Sequence, residues 1–241
     1  MRSAPLTAPV LLVAHGSADP RAADATRALA RVVGACTSYL DHAGPRPEEA
    51  LFELAAAGHR AVTVVPLLLT AAYHSRVDIP AALHRARADG FDLPVALGDV
   101  LGPVNGLVPG ALLAGLRRRL LETLVGFDGV VLAAAGTRDR AALSTVEYAA
   151  RALGARLGVP CVSAYASASA PTPGEAVALL RSRGARRVAM AAYFLAPGQL
   201  YDAAVESALD AGAVAAAAPL TDAPELARLV RDRVATAAAA A

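Results

Sequence analysis

The chain has 241 residues, 56% of them hydrophobic and 18% charged, with a formal net charge of +2. Enough apolar material is present to fill a core, which excludes disorder as a global description. The near balance of 23 basic and 21 acidic residues, with no basic stripe interleaved with aromatics, gives no nucleic-acid footprint, and the complete absence of lysine excludes a Schiff-base lysine, a pyridoxal-phosphate anchor and a P-loop lysine.

In chain order the pattern alternates short, nearly continuous apolar runs with longer amphipathic stretches rich in Ala, Leu and Arg. A strand over Pro9–Ala14 precedes a helix over Asp19–Val33, and a strand over Ala35–Leu40 precedes a helix over Pro47–Ala57. The strand Ala61–Leu68 leads to the helix Val77–Asp89, and Pro94–Leu97 leads to a long helix over Asn105–Leu124. The same rhythm then recurs: strand Gly129–Ala134, helix Arg138–Leu157, strand Val159–Ala164 and helix Pro173–Arg183. Strand Arg187–Ala192, helix Leu200–Asp210, strand Ala213–Ala217 and helix Ala223–Ala238 complete it. Continuous rather than alternating apolar runs are the mark of parallel strands covered on both faces, so the expected class is α/β. No apolar run approaches the ~18–20 residues of a membrane-spanning helix. Cys36 and Cys161 are too few for a structural zinc site and suit a reducing compartment, so a cytoplasmic protein without membrane partner is expected.

The second half repeats the first. The segment LLVAHGSADPRA from Leu11 is echoed by VVLAAAGTRDRA, in step from Val130 or Val131, and PRPEEALFELAAAGHRAVTVVPLLL from Pro45 by PTPGEAVALLRSRGARRVAMAAYFL from Pro171. Offsets of about 120–126 residues divide the chain into two units, 1–124 and 125–241. Two similar domains are expected, each a parallel sheet of about four strands flanked by helices and related by internal duplication. One eight-stranded sheet is the competing arrangement. Cys36 and Cys161 are read as packing residues at matching strand positions.

Ligands of open parallel sheets bind beyond the carboxyl ends of the strands. The first strand delivers His15-Gly16-Ser17 to that edge, with Ser17 placed to cap the following helix. The second delivers Asp41 and the ambiguous His42. The third delivers a loop from Thr70 to Arg76 that carries His74. His59 and His84 read as solvated surface, and Arg117-Arg118-Arg119 as a solvated helix face. In the repeat, Ala135 stands for His15, the stretch Tyr165–Ser167 for Asp41, and Gln199 or Leu200 for His74. The scaffold was kept while the ionisable groups were not, which points to one functional centre built from the first half. No dinucleotide fingerprint, nucleophile elbow or zinc-protease helix competes with it. A hydrolase using Ser17 ranks low, because a serine two residues from His15 on a tight turn is a poor nucleophile–base pair.

At these residues the sequence resembles a known family. VAHGSADPR, SYLDHAGPRPEEAL and PLLLTAAYHSRVDIP are similar to the class II chelatases that insert a divalent metal into sirohydrochlorin, in the two-domain long form of the cobaltochelatase and ferrochelatase branch. The resemblance covers essentially the whole chain. It implies that His15 and His74 bind the metal and accept pyrrole protons, and that Asp41 takes the place of a usual Glu. It also implies a tetrapyrrole substrate, Co²⁺, Fe²⁺ or Ni²⁺ as co-substrate, no organic cofactor, and a monomer or homodimer in cobalamin or sirohaem biosynthesis. A polycarboxylate macrocycle would need cations and N–H donors around the cleft. Arg21, Arg76 and Arg138, with the helix N-termini after Ser17 and Thr137, are the expected set. The loops at Gly136-Thr137-Arg138 and Ala196-Pro197-Gly198 would form the opposite wall. A non-catalytic tetrapyrrole or metal carrier on the same scaffold is the alternative.

Overall fold

The computed structural model describes residues 8–70 and 77–240. The first half contains β1 (Val10–Ala14), α1 (Pro20–Val33), β2 (Cys36–Tyr39), α2 (Pro47–Ala56), β3 (Val62–Leu67), α3 (Ile79–Ala88), β4 (Val95–Leu97) and α4 (Gly110–Glu122). The second contains β5 (Gly129–Ala134), α5 (Arg140–Leu157), β6 (Cys161–Tyr165), α6 (Pro173–Ser182), β7 (Val188–Ala192), α7 (Gln199–Asp210), β8 (Ala215–Ala216) and α8 (Pro224–Ala240). Two separate parallel sheets result, ordered β2-β1-β3-β4 and β6-β5-β7-β8. The single eight-stranded arrangement is not adopted.

The continuous apolar strands are explained by burial on both faces. Along β1, Val10, Leu12 and Ala14 enter one core while Leu11 and Val13 enter another with α2 and α3. Along β5, Val130, Leu132 and Ala134 enter that same first core, while Val131 and Ala133 pack with α6 and α7. One central core is therefore common to both halves, and each half has a private core on its outer face.

The central core is built by an exchange. Helix α4 packs on β7 and α5 of the second half, and α8 packs on β3, β4 and α1 of the first. Each half thus covers the inner face of its partner's sheet with its own last helix. Ion pairs follow the crossing: Arg118 Nε lies 2.9 Å from Glu225 Oε1, and Arg119 pairs with Asp222. Of the expected solvated face at Arg117–Arg119, Arg117 and Arg118 are exposed, and only Arg119 is corrected, its side chain being 11% exposed. Expected helix Asn105–Leu124 is shorter than read, beginning at Gly110, because residues before Pro109 form a small turn closed by a Val104–Leu107 bridge.

The two cysteines are not in register. Cys36 pairs with Leu11, whereas Cys161 pairs with Val130, the counterpart of Val10. A one-residue step reverses the face of a strand side chain. Cys36 is accordingly exposed and Cys161 partly buried.

Candidate functional site at the strand ends

The turn after β1 fixes the site. Gly16 has φ +92°, and a Cβ there would stand 1.8 Å from the Asp41 carbonyl oxygen; in the repeat Gly136 has φ +97° and stands 1.9 Å from the Ser167 carbonyl. Only glycine allows the turn after β1 to lie against the turn after β2. The Asp41 N–H donates to the His15 carbonyl at 2.8 Å and the Leu40 N–H to the Ala14 carbonyl at 3.0 Å, so His15 and Asp41 are brought together by backbone pairing.

Capping differs from expectation. The N-cap of α1 is Asp19, whose carboxylate accepts from the Arg21 N–H, with Pro20 opening the helix. Ser17 does not cap α1; its Oγ accepts from the Asp19 N–H at 3.1 Å and stiffens the turn. Thr137 does the same toward Asp139 at 3.1 Å in the second half.

His15 is half-buried, and its Nδ1 lies 3.0 Å from the Gly16 carbonyl oxygen. A carbonyl only accepts, so Nδ1 carries the hydrogen and, in the neutral ring, Nε2 carries the lone pair. The His42 ring lies 6.4 Å away, centroid to centroid. Asp41 Oδ2 is 3.5 Å from His42 Nε2, and Asp41 Oδ1 is 3.7 Å from Arg46 Nη2. The His42 N–H donating to Asp41, then electrostatic attraction from the His42, Arg46 and His15 side chains, hold the Asp41 carboxyl below the usual range against desolvation. His59 and His84 are exposed. His74 and Arg76 lie outside the described residues.

A cleft of about 270 Å³ opens between the two sheets' carboxyl ends. His15 and Leu67–Thr70 line one side, and Ala135–Thr137, Tyr165 and Tyr193–Leu195 line the other. A second, apolar cavity of about 150 Å³ shares His15, Leu67 and Leu195 and runs under α1 past Ala22 and Ala25. The second half contributes an apolar wall where its own counterpart of His15, Ala135, carries no ionisable group. Tyr193, which sequence reasoning missed, ties that wall to the first half. Its buried hydroxyl donates to the Leu69 carbonyl at 3.0 Å, and burial pushes the phenol well above its usual value. The only sequence signal was a tyrosine standing where the first repeat has Leu67.

The expected carboxylate-reading arginines fare differently. Arg21 is engaged on both sides, with Nη2 at 2.5 Å from Asp19 Oδ2 and 2.6 Å from Asp202 Oδ2 of the second half. Arg138 is exposed beside Gly136 and makes no ion pair among the described residues. No group of three or more His, Cys, Asp or Glu side chains forms a ready metal cage among the described residues. None of the helices among them is long and apolar enough to cross a membrane.

The CbiX family model matches residues 9–114 and 129–237 of this chain, once in each half. The curated sirohydrochlorin cobaltochelatase of Priestia megaterium is 28% identical over 206 residues; the match spans 79% of this chain and 65% of that protein's length. Among solved structures, SirB from Bacillus subtilis with Fe³⁺ superposes with a TM-score of 0.83 at 21% identity, covering 97% of this chain and 96% of the other. SirB from Bacillus subtilis subspecies spizizenii in complex with cobalt gives 0.78 at 19% identity, covering 96% and 95%. At those identities the superpositions speak for the fold.

Proposed function

The chain belongs to the CbiX family, and we propose that it is a sirohydrochlorin chelatase, inserting Co²⁺, Fe²⁺ or Ni²⁺ into a sirohydrochlorin-like tetrapyrrole in cobalamin or sirohaem biosynthesis. The observation that carries the reading is the asymmetry of the cleft. A half-buried imidazole, its Nδ1 tied to the Gly16 carbonyl, faces an apolar wall whose equivalent residue is Ala135. Repeated turns held by Gly16 and Gly136 kept the frame in both halves, while His15 and Asp41 are found in one.

Metallating a tetrapyrrole requires two pyrrole N–H protons to leave while a hydrated cation sheds water. A neutral imidazole suits both steps, since its lone pair ligates a borderline divalent ion and also accepts a proton near neutral pH. In this reading His15 Nε2 offers that lone pair toward the cleft, and the Gly16 carbonyl keeps the ring in the required tautomer. Ionised Asp41 attracts the cation and can take a proton on its way to solvent. His74, between β3 and α3 in the sequence, is assigned the second metal-binding and proton-accepting role from the family resemblance. Tyr165, Phe194 and Leu195 would cover one face of the flat macrocycle and exclude water. Arg138, beside Gly136, is the side chain we assign to a substrate carboxylate, whereas Arg21 must first give up Asp202 to serve.

The test is anaerobic absorbance of excess sirohydrochlorin with each of the three metals. Conversion of many equivalents per chain is expected, and an arrest at one equivalent would establish a carrier instead. His15→Ala should lower the rate by about 10²–10⁴-fold, the usual cost of removing a proton acceptor, with an unchanged melting temperature. A dead Ser17→Ala variant beside an active His15→Ala would revive hydrolase chemistry.

A further inference from the structure

The geometry points to a second metal-holding station at the mouth of the cleft, formed by Asp41 Oδ2 and His42 Nε2, which receives a divalent cation from water and passes it to His15. The inference rests on the metal-insertion reading and deepens it by naming how the cation arrives.

Three distances support it. The carboxylate oxygen and imidazole nitrogen of the pair are 3.5 Å apart. Two N or O donors bound to one first-row divalent ion at about 2.0–2.2 Å, at tetrahedral to octahedral angles, stand roughly 3–3.5 Å apart. The pair therefore already has the bite of a two-point ligand. Asp41 Oδ1 is committed to the His42 N–H at 2.9 Å, which turns Oδ2 toward the imidazole. Finally, the His15 and His42 rings are 6.4 Å apart. Two imidazoles sharing one ion through bonds of about 2.1 Å have centroids about 4.6–5.3 Å apart when they are adjacent ligands and about 6.5 Å apart when they are opposed. An ion can thus be held by His42 and His15 in turn, or briefly by both as opposed ligands, the rings closing by about 1 Å where they become adjacent ligands.

Exposure and charge fit a transit point rather than a trap. The His42 and Asp41 side chains are 48% and 56% exposed, so a hydrated ion reaches them directly. Arg46, 3.7 Å from the Asp41 carboxylate and anchored on the Leu40 carbonyl, opposes a cation there and keeps the hold weak. Transfer is ligand exchange without change of oxidation state: His15 Nε2 displaces a coordinated water, after which the Asp41 and His42 bonds break. The backbone does not require histidine at this position. His42 has φ 59°, and its counterpart in the second half, Ala168, has φ 59° as well. Alanine therefore fits the turn, and the imidazole is there for another purpose.

The experiment is a Co²⁺ titration of the full chain, without tetrapyrrole, followed by visible absorption and stopped-flow mixing. Wild type, His42→Ala, His15→Ala and the double variant are compared, with circular dichroism as a folding control. His42→Ala should slow Co²⁺ uptake and weaken its affinity by about tenfold or more, at least the loss seen when a metal site's supporting partner is removed. His15→Ala should retain a weak Co²⁺ site that the double variant lacks. Equal affinity and uptake rate in His42→Ala and wild type, with the double variant no weaker than His15→Ala, would overturn the station. Co²⁺ bound through His42 by a protein that leaves sirohydrochlorin unmetallated would refute the chelatase reading and leave the station standing.

Discussion

Leu229 lies on α8, is 2% exposed, and belongs to the core that receives residues of both β1 and β5. Truncating it to alanine removes nearly the whole of a buried isobutyl group from a region where two sheets and the exchanged helices meet. Such a change costs about 2–5 kcal/mol, the upper part of the range applying where neighbours cannot close the cavity. Here they are held by α4 on one side and by β3 and β4 on the other, so about 3 kcal/mol is expected. For a chain of this size that corresponds to a fall of roughly 6–12 °C in melting temperature. The sharper expectation concerns cooperativity. Because α8 covers the first sheet and α4 covers the second, both halves should lose protection together. Calorimetry should show one shifted transition, and hydrogen exchange should accelerate in β1 and β5 alike. Leu124→Ala, at a site 93% exposed, serves as control and should change stability by under about 0.5 kcal/mol. Two resolved transitions, of which Leu229→Ala moves only one, would refute the shared core.

Gly16→Ala should cost more than an ordinary surface change and lower activity with it, since the added Cβ meets the Asp41 carbonyl oxygen at 1.8 Å at φ +92°; a stable and fully active variant would contradict the packing of the two turns. A thiol reagent should modify exposed Cys36 quickly and Cys161 only after unfolding, because burial pushes the Cys161 thiol up to about 12; two equally fast thiols in the native protein would argue against the register of β6. The Asp128 carboxyl is held below its usual value by the N–H groups of Arg187 and Arg186. Its stabilising effect is therefore complete above the ordinary carboxylate value of about 3.9 and fades as pH falls through the lower folded value. The melting-temperature gap between wild type and Asp128→Asn should be present at neutral pH and close on acidification, and a gap that widens would reverse the assignment.

The strand–helix alternation and the duplication were legible because both are local: two-sided burial writes continuous apolar runs, and a copied turn keeps its Gly16 and Gly136. The juxtaposition of His15 and Asp41 was legible for the same reason, since strand ends of one parallel sheet must meet. What was not legible depends on contacts between distant segments. Arg118 and Arg119 look like any charged helix face until Glu225 and Asp222 arrive from α8. Arg21 looked available to a substrate carboxylate, and Asp202 lies 181 positions away. The cysteines were misaligned because small apolar residues surround both, and a one-residue slip leaves composition unchanged. Tyr193 carried no polar neighbour in sequence to announce that its hydroxyl crosses to Leu69.

The crossed terminal helices also bear on how the molecule is made. Strands β1 to β4 are complete once Leu97 has been added, yet α8, which covers the inner side of β3 and β4, begins only at Pro224. At ordinary synthesis rates the interval is on the order of ten seconds. Throughout it, the inner side of the first sheet, including Leu12, Val65 and Leu67, awaits its cover. α1, through Leu29, Ala30 and Val33, shelters the part of that face near β1, and the remainder leaves a nascent chain open to premature association with other copies.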